Sequence, residues 1–187
     1  MIRFLLTAGC TVLLAACQFL PPPADAPETV DYVDLERYAG TWYEIASYPN
    51  RFQEGCVATT ATYEPREDDR IDVSNRCLDG DFDGPERVAE GVARVVDEDS
   101  NARLKVSFFW PFSGDYWVIG LDEDYRWAVV GHPRRKYLWI LARTPELEPR
   151  SREAVMQLIE ARGYDTGDLQ ETPHPAGELS PEIVRHD

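Results

Sequence analysis

At 187 residues the chain has room for one domain with a substantial core and too little for two. Its 43% hydrophobic and 11% aromatic content, with five Trp and nine Tyr, excludes a disordered polymer. A formal net charge of -15 excludes nucleic acid as a partner and electrostatic docking on anionic headgroups, so any membrane attachment must have another source.

Residues 1–16 have the layout of an export signal. Arg3 supplies a short positive start, and Phe4-Leu5-Leu6 to Val12-Leu13-Leu14 form an apolar run too short to span a bilayer. The run ends in Leu14-Ala15-Ala16-Cys17, which resembles the lipobox of bacterial lipoproteins. That resemblance implies cleavage before Cys17, acylation of its thiol and amino group, and a near-permanent membrane anchor. Gln18, rather than Asp, implies sorting to the outer membrane with the domain facing the periplasm. Residues 17–33, with Pro21-Pro22-Pro23 and Pro27, are expected to form a lipidated start and an extended tether. Cys10 leaves with the leader, so Cys56 and Cys77 remain as an even pair in an oxidising compartment.

From residue 40 short β-type runs alternate with turn residues. Strands are expected at 41–48, 57–65, 70–78, 86–97, 102–110, 115–121, 125–131 and 137–143. Pro49-Asn50, Asp79-Gly80, Asp83-Gly84-Pro85, Ser113-Gly114 and His132-Pro133 are among the breaks between them. Leu104-Lys105-Val106-Ser107-Phe108 shows the period-two alternation of a half-buried strand. With short connections and no intervening helix, eight antiparallel strands close into an up-and-down barrel, an all-β fold. One helix follows, with Pro149 at its start, an apolar stripe of Val155, Leu158 and Ile159, and Gly163 at its end; it is expected to pack outside the sheet. The domain is expected over 34–172, with the chain after Gly163 loose and 173–187 a flexible tail.

Three segments carry a family resemblance. Gly40-Thr41-Trp42-Tyr43-Glu44-Ile45 is similar to the Gly-x-Trp signature of the first lipocalin strand. Leu121-Asp122-Glu123-Asp124-Tyr125 resembles the second lipocalin motif in a variant form, and Trp139-Ile140-Leu141-Ala142-Arg143 resembles the third. The resemblance runs from about Leu35 to Gly163 and is strongest to the bacterial outer-membrane lipocalins and the apolipoprotein D branch. It implies a carrier of small apolar molecules, with Gly40, Trp42, Asp124, Tyr125 and Arg143 as structural signature residues.

Strand starts and ends alternate between the two rims of such a barrel. Trp42, Tyr125 and Arg143 therefore meet at one end, where a guanidinium on an indole closes it. Cys56 and Cys77 fall at the opposite rim on adjacent strands, where a disulfide is expected. That open rim holds loops 49–55, 79–85, 110–114 and 132–136, with Trp110 and Phe112 as a greasy lip. Period-two counting from Arg143 places Leu141, Trp139 and Tyr137 on the inner face, joined by Tyr116, Val118, Val106 and Phe108. These are the expected ligand contacts, with Tyr116 or Arg51 at a head group near the mouth. The expected partner is a fatty acid, lysophospholipid or similar amphipathic lipid, with no cofactor; a homodimer is also open.

Other chemistries compete weakly. Asp79-x-Asp81-x-Asp83-Gly84 with Glu90 has the spacing of an EF-hand calcium loop, but its flanks read as strands and Pro85 constrains the carbonyl that should ligate. The expectation is no metal. His132, His174 and His186 sit near no Ser or Cys nucleophile, so no catalytic residues are expected. Two alternatives remain: a barrel that binds another protein through its rim, and an isomerase that uses a free cavity thiol.

Overall fold

The computed structural model describes residues 21–175; the leader, Cys17, Gln18 and residues 176–187 lie outside the described residues. A short helix α1 (Leu35–Tyr38) opens the domain, its first turn capped by the Asp34 carboxylate. Eight strands follow: β1 (Gly40–Ser47), β2 (Cys56–Pro65), β3 (Arg70–Asp79), β4 (Glu86–Val95), β5 (Arg103–Phe109), β6 (Phe112–Leu121), β7 (Trp127–Gly131) and β8 (Leu138–Ala142). Each pairs antiparallel with its neighbour, and β1 pairs with both β2 and β8, so the sheet closes on itself as expected. Helix α2 (Pro149–Ala161) lies outside, and a short strand β9 (Gln170–Glu171) is the last element of the described chain.

The alternation of side chains sorts the apolar residues into two cores. Trp42, Tyr63, Val73, Ala93, Leu104, Val118, Val130 and Leu141 point inward. Ile45, Ile119, Val129, Leu138 and Ile140 point outward and would face water, but Val155 and Ile159 of α2 cover them. Strand β7 is buried on both faces for this reason. The helix ends in a Schellman turn: Gly163 has φ +78°, its N–H donates to Glu160 O, and Tyr164 N–H donates to Ile159 O.

Several boundaries differ from the expectations. The loop foreseen at 110–114 shrinks to the two-residue turn Trp110-Pro111, because Phe109 and Phe112 pair across the hairpin. Strand β7 starts at Trp127, since Asp122 holds residues 122–126 in a turn by accepting from Asp124 N–H and the Arg126 guanidinium. The described part of the tether does not stand free. Val33 and Val30 N–H groups donate to Ser100 O and Val118 O, and Glu28 pairs with Arg162 at 2.6 Å. The chain after Gly163 is also docked through residue 175. Strand β9 pairs with the upper half of β1, and Ala58 N–H of β2 donates to Pro173 O. Residues 170–173 thus fill the seam where β1 leaves β2, satisfying backbone groups that the ladder would strand.

Candidate functional site

The closed end is built on Trp42, fully buried, whose indole N–H donates to Tyr38 O at 2.8 Å. The Arg143 guanidinium lies 3.8 Å from its ring centroid. Arg143 also donates to Thr41 O at 2.9 Å and Arg37 O at 2.7 Å, so its donors are spent on carbonyls while its face covers the indole. Gly40 has φ +88°, which turns α1 into β1 without the steric cost a side chain would bring. Tyr125 closes the same end, its hydroxyl accepting from Asp34 N–H at 2.9 Å. Asp124 is exposed; the carboxylate that fixes this turn is Asp122, held below the usual carboxylate range chiefly by its hydrogen bond from Arg126.

Above this stopper three phenols form a buried chain. Tyr116 donates to Tyr63 at 2.9 Å and its oxygen lies 2.8 Å from that of Tyr38. Burial pushes all three up, Tyr63 to about 12, so they stay neutral hydroxyls. Tyr116 therefore sits in the lower barrel rather than at the mouth, a correction to its expected place beside a head group. Around these rings only about 20 Å³ of cavity remains, between Val33, Leu35, Ile71, Ala93 and Leu104, room for roughly one water. Val118 is fully buried at this level.

The upper half differs. On β4 the inward parity of Ala93 gives Gly91 and Ala89, both small, and residues 86–90 are exposed on both faces. The inner wall there faces an open vestibule. Its other walls are Phe108 of β5 and Trp139 of β8, both half-buried, with Tyr137 stacked on Trp139 at 5.7 Å. A Cβ at Gly91 would lie 2.8 Å from the Phe108 ring, so glycine is what lets that ring settle. Phe108, Tyr137 and Trp139 thus lie on the inner face of the upper half, while Val106 borders the small cavity below. Arg51, Trp110 and Phe112 lie exposed on the rim.

One polar cluster was not expected. Glu44, on the inner face opposite Leu141, is 5% exposed and accepts from Ser47, Gln53 and Thr172. Gln53 in turn accepts from the Trp139 indole at 2.9 Å. With Ser47, Asn50 and Thr172 these groups line a hollow of about 490 Å³ beside the seam. Among the described residues, no ion pair within 4.0 Å is found for Glu44. Parity with Trp42 would have placed Glu44 inside; Gln53 and Thr172 lie on a loop and a docked tail, where no period gives them away.

The cysteines meet at the rim with Cα atoms 5.5 Å apart and are joined in a disulfide. The bridge is diagonal, since Cys56 opposes Asp79; the register shift at Ala58 leaves Cys56 two positions from Cys77 and on the same face. Among the described residues, no group of three His, Cys, Asp or Glu side chains is arranged to hold a metal ion. In the acidic loop Asp79 bonds Arg87 and Glu86 bonds Arg76.

The signature trio, the closed eight-stranded sheet and the external helix decide the family, and the comparisons agree. The model of the lipocalin-like domain matches residues 33–174. The chain is a lipocalin. It is 41% identical to the outer membrane lipoprotein Blc of Citrobacter freundii, over 84% of this chain and 88% of that one. It is 31% identical to apolipoprotein D of Macaca fascicularis, over 79% and 80%. Among solved structures, insecticyanin of the tobacco hornworm Manduca sexta superposes with a TM-score of 0.66, covering 82% of this lipocalin and 86% of that chain. At 20% identity that likeness speaks for the fold alone.

Proposed function

We propose that this lipocalin binds a single-chain amphipathic lipid in its upper vestibule and is held at the outer membrane, on the periplasmic side, through acylated Cys17. The observation that carries the binding is the contrast inside the barrel. The base is filled, while Phe108, Trp139 and the small residues of β4 leave an apolar wall open to solvent. An acyl tail resting there removes that wall from water, at roughly 25 cal/mol per Å² of apolar surface. Glu44 favours lysophospholipids over fatty acids, because a buried carboxylate with no ion-pair partner among the described residues repels a second carboxylate and welcomes a head group bearing an ammonium. The kinship with an outer membrane lipoprotein supports the location. Against an isomerase stands the disulfide, which leaves no free thiol among the described residues.

Titration with lysophosphatidylethanolamine tests the reading. Trp fluorescence should change saturably in the wild type, and the change should largely vanish in Trp139→Phe. No saturable response to lysophospholipids or fatty acids would defeat it, and equal affinity of Glu44→Gln and wild type for palmitate would remove the head-group preference.

A further inference from the structure

The rim carries an apolar patch that the vestibule does not absorb. Phe109 is 80% exposed, Trp110 91% and Phe112 76%, all at the tip of one hairpin, and Phe52 is 59% exposed on the β1–β2 loop. Side chains of this size are rarely left in water without a partner. Exposed cations stand on this rim, Arg51 beside Phe52 and Arg134 and Lys136 on the β7–β8 loop, together with the acidic Glu54, Asp81 and Asp83 of the β1–β2 and β3–β4 loops. Aromatic rings flanked by Lys and Arg suit the boundary between headgroups and acyl chains.

The N-terminal strap says what the patch meets. Read backwards from Val33, which is bonded to the β4–β5 loop at the closed end, it climbs the barrel wall past Val118 and Arg162. It arrives at Asp25, 3.7 Å from Arg135 on the β7–β8 loop of the open rim. Cys17 is eight residues further back, a reach of at most about 29 Å even fully extended. The described part of the strap thus ends beside the rim from which the aromatics project.

We infer that the open rim docks on a lipid bilayer, with Phe109, Trp110 and Phe112 inserted at the interface and the barrel mouth facing the membrane. This rests on the reading of Cys17 as the anchor. The net charge of -15 opposes adsorption by charge, so apolar insertion drives the contact and salt changes it little. Lipid would then pass from the bilayer to the vestibule without crossing water.

The test uses the full acylated chain in phosphatidylcholine vesicles with brominated acyl chains, in a Trp139→Phe background so that lipid inside the barrel does not report. Bromine should quench Trp fluorescence, and Trp110→Phe should abolish at least half of that quenching. Phe109→Ser with Phe112→Ser should reduce it at least twofold while circular dichroism shows an intact barrel. Quenching that is absent, or equal with and without Trp110, on vesicles that retain the protein overturns the docking and leaves the anchor standing. Protein that washes off the vesicles overturns both. A lipid-free blue shift of Trp110 that tracks dimer formation gives the patch to a second copy and overturns the bilayer.

Discussion

The two ends of this barrel are made of similar residues put to opposite use. At the closed end Trp42, Arg143, Tyr38, Tyr63 and Tyr116 are packed, and each polar atom the structure pairs there has a backbone carbonyl or a hydroxyl for its partner. At the open end Phe109, Trp110 and Phe112 project into solvent, and β4 is exposed on both faces. Aromatic content alone does not distinguish a core from a contact surface. What distinguishes them is whether the donors are spent and the rings covered.

The contrast predicts where stability resides. Trp42→Ala removes the largest fully buried side chain and the platform beneath Arg143, and should cost about 3–5 kcal/mol in urea unfolding. A loss below about 1 kcal/mol would mean the base is not what holds the barrel shut. The rim's own support is covalent. Reducing Cys56–Cys77, separated by 21 residues, should cost about 3 kcal/mol on the loop-closure argument, seen as a lower urea midpoint with reductant present. An unchanged midpoint would show that Arg87, which donates to Glu54 O and Phe52 O, already fixes the β1–β2 loop.

The phenol chain should give a smaller effect with a pH signature. Tyr63 is pushed up to about 12 by burial, and an unfolded phenol titrates near 10. The folded state therefore holds its proton longer, and the associated stability is complete below pH 10 and disappears as pH rises from 10 towards 12. Absorbance at 295 nm should show these tyrosines ionising together with unfolding rather than before it. Tyr116→Phe removes the hydroxyl that links Tyr38 and Tyr63 and should cost about 1–3 kcal/mol near neutral pH.

The base was the more legible end. Gly40-x-Trp42 and Arg143 are short-range signals, and strand parity follows from a period of two, so the stopper and the inner wall of β8 could be placed before any coordinates. The disulfide followed from rim alternation, although the β2–β3 hairpin sets Cys56 opposite Asp79, so the bridge is diagonal instead of direct. What stayed hidden depends on tertiary contacts. Tyr116 alternates inward like any lining residue, but its depth is set by register with Leu104, which no local pattern encodes. The docking of residues 170–174 was masked by Pro173 and Pro175, whose missing N–H groups suggest a loose end; here the segment needs few donors, since Thr172 N–H and the His174 ring supply bonds to Ile45 O and Glu44 O. Asp124 was read from the motif, whereas the carboxylate two residues earlier, Asp122, makes the bonds.

The smallest expected effect is the one that separates the two ends most sharply. Phe109→Ser with Phe112→Ser deletes two large aromatic side chains, as heavy a loss of apolar volume as Trp42→Ala. Both rings are more than three-quarters exposed in the folded protein, so the mutations remove little burial gained on folding, and the urea midpoint should move by no more than about 0.5 kcal/mol. A destabilisation of about 2 kcal/mol would mean that the hairpin tip packs on the barrel in solution and is not a free surface. Indifference in stability combined with lost bilayer contact would show that selection for binding, and not for folding, keeps these rings at the mouth.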